Sequence, residues 1–205
     1  MTIVAGVFVL DAMGYTGVMN ILNFIKKYVS KPRTVGAIAP SSRFLARKMI
    51  NGLDFNRARC IVEYGPGTGV FTRLMLERRS PGTVLMLIER DPEFFAFIKE
   101  RFAGVPDLYI INDSADQIGR FIKEYQLKLP DYIISGLPFA SLPQDVSENV
   151  LTQTKRYLHP EGKFITFQYT LRKKQFIGQY FGRIKIQREL RNLPPAYVFT
   201  CDNAP

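Results

Sequence analysis

The sequence predicts a doubly wound α/β domain whose mostly parallel sheet closes with an antiparallel pair. Three observations predict it. Short apolar runs alternate with helix-length segments from Cys60 to Tyr180. The runs "IVEY", "VLMLIE" and "DYIIS" are apolar almost throughout, as strands buried on both faces of a parallel sheet are. The last two strand-like runs, "IKIQREL" and "AYVFTCD", are joined only by "RNLPP". That leaves no room for a crossover helix, so they pair antiparallel.

The elements follow in order. "TIVAGVFVL" is apolar but stops at Asp11, too short for a spanning helix. Extending it to Ile25 places Asp11 inside, at about 2.5–3.5 kcal/mol if central. It has no basic n-region and no A-x-A site, so no cleaved signal peptide is expected. Residues 18–29 put Val18, Ile21, Leu22, Ile25 and Val29 on one helical face, with Lys26 and Lys27 on the other side. This basic amphipathic helix has two readings: it packs on the domain, or it lies in a lipid headgroup boundary. "KPRTVGAIAPSS" is a loop interrupted by Pro32, Gly36 and Pro40, after which Ser41 or Ser42 caps a helix running to Gly52. Strands are predicted at Cys60–Tyr64, Val84–Glu89, Leu108–Asn112, Tyr132–Ser135 and Phe164–Gln168. Helices are predicted at Val70–Arg79, Pro92–Phe102, Ala115–Gln126, Gln144–Tyr157 and Leu171–Tyr180. With the closing pair, the sheet has seven strands.

Composition narrows the function. The chain has 205 residues and a net charge of +10. Such an excess points to a polyanionic partner, nucleic acid or anionic lipid, without choosing between them. Two distant cysteines and no CxxC motif exclude a zinc site and fit reduced thiols in a cytoplasmic protein. The one histidine, His159, sits in the turn "LHPEGK", which takes most of the weight from histidine-dependent catalysis.

Chemistry gathers at the strand ends. Glu63, Gly65, Gly67 and Gly69 form E-x-G-x-G-x-G after the first strand, where the backbone can turn tightly and admit a ligand. The spacing departs from the dinucleotide G-x-G-x-x-G, and Glu63 can accept from a ligand ammonium. Glu89 ends the second strand about 20 positions after Gly69, where an acid of a doubly wound sheet reaches ribose hydroxyls. Asp113 ends the third strand, and Ser135-Gly136-Leu137-Pro138-Phe139 end the fourth. Ligands bind such sheets at that carboxyl edge.

These residues resemble a class I S-adenosylmethionine-dependent methyltransferase. The resemblance implies a Rossmann-like fold with S-adenosylmethionine as cofactor and S-adenosylhomocysteine as product. Glu63–Gly69 matches the first motif, Glu89 the ribose acid, Asp113 the adenine-side acid, and Ser135–Phe139 the fourth motif beside the transferring methyl. Ser41, Tyr64, Arg90, Ser114, Gly136 and Leu137 join the cofactor-binding set. "LHPEGKF" resembles the L-x-P-x-G turn before the fifth strand.

"PRTVGAIAPSSRFLAR", "VEYGPGTGVFTRL", "SGLPF" and "NLPPAYVF" resemble more narrowly the bacterial phospholipid N-methyltransferases, over roughly residues 31–205. That implies methylation of the amine of phosphatidylethanolamine by a protein peripheral to the inner face of the membrane. Residues 1–30 would then form an N-terminal segment that touches anionic lipid through residues 18–29. The competing resemblance is to ribosomal RNA adenine dimethylases. Their fourth motif is N-L-P-Y-like, and the asparagine is absent here, which counts against nucleic acid. A third possibility is a module that binds the cofactor without catalysis; the intact first motif counts against it.

Methyl transfer needs alignment more than acid–base machinery. Ser135, Phe139 and Tyr169 are the expected catalytic residues. The Phe139 ring would stack on a base or sit over a cationic amine. Tyr169, the Ser135 or Leu137 carbonyl, or water would take or orient the amine proton. Arg33, Arg43, Arg172, Arg188 and Arg191 are candidates for a lipid phosphate.

Overall fold

The architecture was obtained as a computed structural model, which describes residues 41–203. The amphipathic helix expected at 18–29, and Arg33, lie outside the described residues. Helix α1 (Arg43–Ile50) starts where Ser42 Oγ accepts from Leu45 N at 3.1 Å, and buries Leu45, Ala46, Met49 and Ile50. The chain then alternates: β1 (Cys60–Tyr64), α2 (Val70–Arg78), β2 (Val84–Ile88), α3 (Pro92–Arg101), β3 (Leu108–Ile111), α4 (Ile118–Glu124), β4 (Tyr132–Ser135), α5 (Gln144–Tyr157), β5 (Lys163–Gln168) and α6 (Lys174–Gly178). It closes with β6 (Arg183–Glu189) and β7 (Ala196–Asp202).

The seven strands lie in the order β3-β2-β1-β4-β5-β7-β6. The first five are parallel, and β7 pairs antiparallel with both β5 and β6. The strand order reverses between β1 and β4, so their carboxyl ends flank the crevice where such sheets hold ligands. Alternate residues of β1 face opposite layers, as the strand period requires. Cys60, Val62 and Tyr64 pack in one hydrophobic layer, and Ile61 in the other with α1 and α2.

Two predicted helices come out shorter. Residues 115–117 form a 3-10 turn ahead of α4, and Gln126, at φ 53°, lies beyond its end. The helix expected at Leu171–Tyr180 contracts to Lys174–Gly178. Ile177 is buried and Phe176 packs partly, but Leu171 and Arg172 ahead of α6 are exposed, so extending it toward its N-terminus would bury nothing. Among the described residues no helix is long and apolar enough to cross a membrane.

Candidate functional site

The carboxyl edge of the sheet gathers most of the predicted site residues. Glu63, next to last in β1, is fully buried on the layer that faces α2. Its Oε2 accepts from Thr72 Oγ1 at 2.6 Å, and its Oε1 has no hydrogen-bond partner among the described residues. Burial pushes its carboxyl up to about 8, against the Thr72 hydrogen bond and with help from the Glu89 charge. A buried carboxylate oxygen without a donor fits a ligand cation at this point.

The turn after β1 carries Gly65, Gly67 and Gly69, all at positive φ. Gly67 matters most: at φ 55° it has open space where a side chain would stand, so a ligand can approach its backbone. Glu89, just past β2, holds this turn. Its Oε2 accepts from Gly67 N at 3.1 Å and its Oε1 from Asp91 N at 3.0 Å. Burial raises its pKa, opposed by these amides.

On the β3 side, Asp113 Oδ1 accepts from Ser114 N at 2.7 Å, and Oδ2 pairs with Arg120 at 2.7 Å. Arg90, Asp113, Ser114, Arg120, Val146 and Asn149 line a cavity of about 440 Å³. Asp116 and Gln117 also line it, so Asp113 is a paired acid in a mostly polar wall whose apolar member is Val146.

Between these groups lies the turn after β4. Ser135 is fully buried and its Oγ accepts from Leu137 N at 3.2 Å. Gly136 N donates to Tyr64 O at 2.8 Å, and a Cβ at Gly136 would stand 2.7 Å from Gly65 O. Only glycine lets the two ligand-facing turns approach this closely. The Leu137 carbonyl accepts from Gln168 Nε2 and Phe139 N, both at 3.1 Å. It is already engaged, which lowers its claim on an acceptor proton. Tyr169, beyond β5, is half-buried with its ring edge-on to Phe167 at 5.6 Å. Its hydroxyl makes no well-formed hydrogen bond among the described residues but faces the Asn192 side chain, and burial raises its pKa against that neighbour. It stays protonated at neutral pH, which suits orienting an amine better than abstracting a proton.

Two expectations are corrected. Phe139 is fully buried, edge-to-face with Phe164 at 6.2 Å. Its ring is part of the core and presents no face to an acceptor. Tyr64 is likewise fully buried; its hydroxyl accepts from Thr154 Oγ1 at 3.3 Å, so only its backbone reaches the site. Ser41 is half-buried beside the cap residue Ser42, whose N–H donates to Asn192 Oδ1 at 3.0 Å in the β6–β7 loop.

Sequence reasoning missed four supports. Thr72 orients Glu63. Gln168 fixes the Leu137 carbonyl. Asn112 Nδ2 donates to Glu89 O at 2.8 Å and Arg90 O at 3.2 Å, tying the β2 and β3 ends together. Asn149 joins the cavity wall. None carries a local sequence signal, because each acts across elements. Cys60 and Cys201 are free and buried, with both thiols pushed up to about 12 by burial and then by Asp131 and Asp202 respectively. Neither is a nucleophile at neutral pH. Among the described residues no cluster of His, Cys, Asp or Glu could hold a metal.

The strand order and the antiparallel close are those of class I methyltransferases. The chain overlays a precorrin-6y C5,15-methyltransferase from Geobacter metallireducens at 15% identity and TM-score 0.59, covering 78% of this chain and 87% of the other. It overlays a SAM dependent methyltransferase from Aquifex aeolicus at 13% identity and TM-score 0.57, covering 87% and 96%. In sequence it is 29% identical over 183 residues to an ornithine lipid N-methyltransferase from Singulisphaera acidiphila, spanning 87% of this chain and 93% of that protein. It is 26% identical over 130 residues to a ribosomal RNA small subunit methyltransferase A from Borrelia garinii subsp. bavariensis, covering 62% of this chain. The match spans less than half, 43%, of that relative's length. No family model matches the chain.

Proposed function

We propose that this protein transfers the methyl group of S-adenosylmethionine to the amine of a membrane lipid, phosphatidylethanolamine or another amino lipid. The chain is an S-adenosylmethionine-dependent methyltransferase, with S-adenosylhomocysteine as product. The residues present fit that cofactor. Glu63 Oε1 would take the ammonium, Glu89 the ribose, and the Arg90–Asp113–Ser114 wall the adenine. The open backbone at Gly67 would lie against the cofactor. When bound, the cofactor supplies an activated methyl on sulfur. The chain's part is to exclude bulk water and hold the acceptor amine in line, its proton passing to a local water because Tyr169 stays protonated and the Leu137 carbonyl is engaged. Tyr169, whose buried hydroxyl has Asn192 as its polar neighbour, is the residue best suited to orient the incoming amine.

The observation that carries the lipid reading is the turn after β4. A base-methylating site of the N-L-P-Y kind uses an asparagine amide and an exposed aromatic ring. Here the residue before Leu137 is Gly136, whose Cβ position lies against the Gly65 carbonyl, and the Phe139 ring is sealed in the core. Neither device for gripping a base is available. The near full-length similarity to a lipid N-methyltransferase supports the same reading. It would put the enzyme on the inner face of a membrane, with residues 18–29 as one anchor. An RNA adenine amine is the second reading, favoured by the partial similarity to ribosomal RNA methyltransferases.

Incubation with methyl-labelled cofactor, vesicles containing phosphatidylethanolamine or ornithine lipid, and small-subunit ribosomal RNA separates them. Label is expected in the lipid extract. Label in RNA adenine with none in lipid would overturn the proposal.

A further inference from the structure

The described surface exposes five large hydrophobic side chains: Tyr125, Leu129, Leu171, Leu190 and Leu193. Three of them stand at one place. Leu171 follows the carboxyl end of β5, and Leu190 and Leu193 lie in the loop joining β6 to β7. The register puts Gln168, the last residue of β5, opposite Tyr197, and Glu189 opposite Ala196. Both loops therefore project from the carboxyl edge, the edge that holds the site. Leu193 is 83% exposed and Leu190 64%.

The β6–β7 loop is built to hold these leucines outward. Asn192 is buried between them; its Oδ1 accepts from Ser42 N and its Nδ2 donates to Pro194 O at 2.8 Å. Glu189 is buried beneath the loop. It accepts from Arg191 N at 2.9 Å and pairs with Arg191 Nε at 3.0 Å and Lys48 Nζ at 3.1 Å. Arg191 also lies over the Phe44 ring at 4.4 Å. Loop residues alternate between anchored polar groups and apolar side chains held in water. Cations neighbour the leucines along the chain: Arg172, Lys173 and Lys174 follow Leu171, and Arg188 and Arg191 lie on either side of Leu190. The only acid in either loop or its flanks, Glu189, is already neutralised. Exposed leucines held rigidly among cations have one matching surface: hydrocarbon beneath anionic headgroups. A polyanion such as RNA would match the cations and leave the leucines in water.

We infer that the tip of the β6–β7 hairpin, with Leu171 beside it, is a membrane-docking wedge that inserts Leu190 and Leu193 below anionic headgroups and turns the site edge toward the bilayer. This rests on the lipid reading above and adds to it a structured contact separate from residues 18–29.

The chain has no tryptophan. A Leu193→Trp variant of the full-length protein therefore reports from this tip alone. Phosphatidylglycerol-containing vesicles should shift its emission to the blue and expose it to quenching by brominated acyl chains; pure phosphatidylcholine should do so weakly. Leu190→Ser/Leu193→Ser should lower affinity for the anionic vesicles on the order of ten- to a hundred-fold. The same variant should methylate a monomeric short-chain amino lipid as well as the parent does. Vesicle binding by Leu193→Trp without an emission change would overturn the wedge and leave the lipid reading standing. A protein that methylates neither lipid form would overturn the lipid reading itself. An emission change with RNA but not with vesicles would overturn the wedge in favour of a nucleic-acid surface.

Discussion

Glu89 Oε2 accepts from Gly67 N at 3.1 Å, which ties the end of β2 to the glycine turn of β1. The acid therefore shapes the glycine turn, besides being the residue proposed to meet the ribose. Glu89→Ala removes a charge-assisted acceptor and frees the turn at once. Loss of about 1.5–3 kcal/mol of cofactor binding is expected, roughly a 10- to 100-fold rise in Kd by calorimetry. Gly67→Val should weaken binding further, because φ 55° strains a β-branched residue and its side chain would fill the open space above the turn. Unchanged affinity in folded forms of both variants would count against this cofactor site.

In the proposed site, Glu63 makes cofactor binding a proton-linked event. Its folded pKa, about 8, lies above the ordinary 4.5. In the free protein it contributes stability that is fully present below 4.5 and is lost as pH rises toward 8. Pairing with a ligand ammonium draws out the ionised form. Binding near pH 7 should therefore release close to one proton, read as a dependence of the calorimetric enthalpy on the buffer's ionisation heat. Glu63→Gln should bind more weakly and abolish that dependence. A proton balance that is the same in both proteins would show that Glu63 does not meet the ammonium.

The turn after β4 gives two contrasting stability predictions. Phe139→Ala should cost about 3–5 kcal/mol of stability, the scale of a buried aromatic truncation. The loss would appear in chemical unfolding with no cofactor or acceptor present. Gly136→Ala should cost about 1–3 kcal/mol, because the new methyl meets the Gly65 backbone, which cannot swing aside. It should also lower cofactor affinity by parting the two turns. A Phe139→Ala protein of parental stability but reduced turnover would return the ring to the acceptor site.

The sequence made some of this legible and hid the rest for physical reasons. The bounds of β1, β4, β7 and α5 match those predicted, because continuous apolar runs or a clear helical span define them. The glycine turn was legible because only a few residue types tolerate its backbone. Phe139 was misjudged because an aromatic after Leu-Pro looks the same whether its ring turns inward or outward; only the Phe164 contact decides. Thr72, Asn112 and Gln168 were invisible because their partners are nine to thirty-one positions away. The late start of α6 follows from the exposure of Leu171 and Arg172, which periodicity does not report.

The remaining prediction concerns the base of the β6–β7 loop. Glu189 is depressed to about 2, first by Arg191 and then by Lys48, against the cost of burial. A carboxylate whose folded pKa lies below its ordinary 4.5 contributes stability above that value and loses it as pH falls toward 2. The parent should therefore lose stability between about pH 5 and 2 more steeply than Glu189→Gln, which cannot titrate. The comparison cancels carboxylates common to both proteins. Because Glu189 accepts from Arg191 N, its loss should also loosen the loop, faster hydrogen exchange at Arg191 being the local sign. Parallel acid-unfolding curves for the two proteins would mean that Glu189 is not held ionised by these cations. The same result would remove the anchor that keeps Leu190 and Leu193 facing outward.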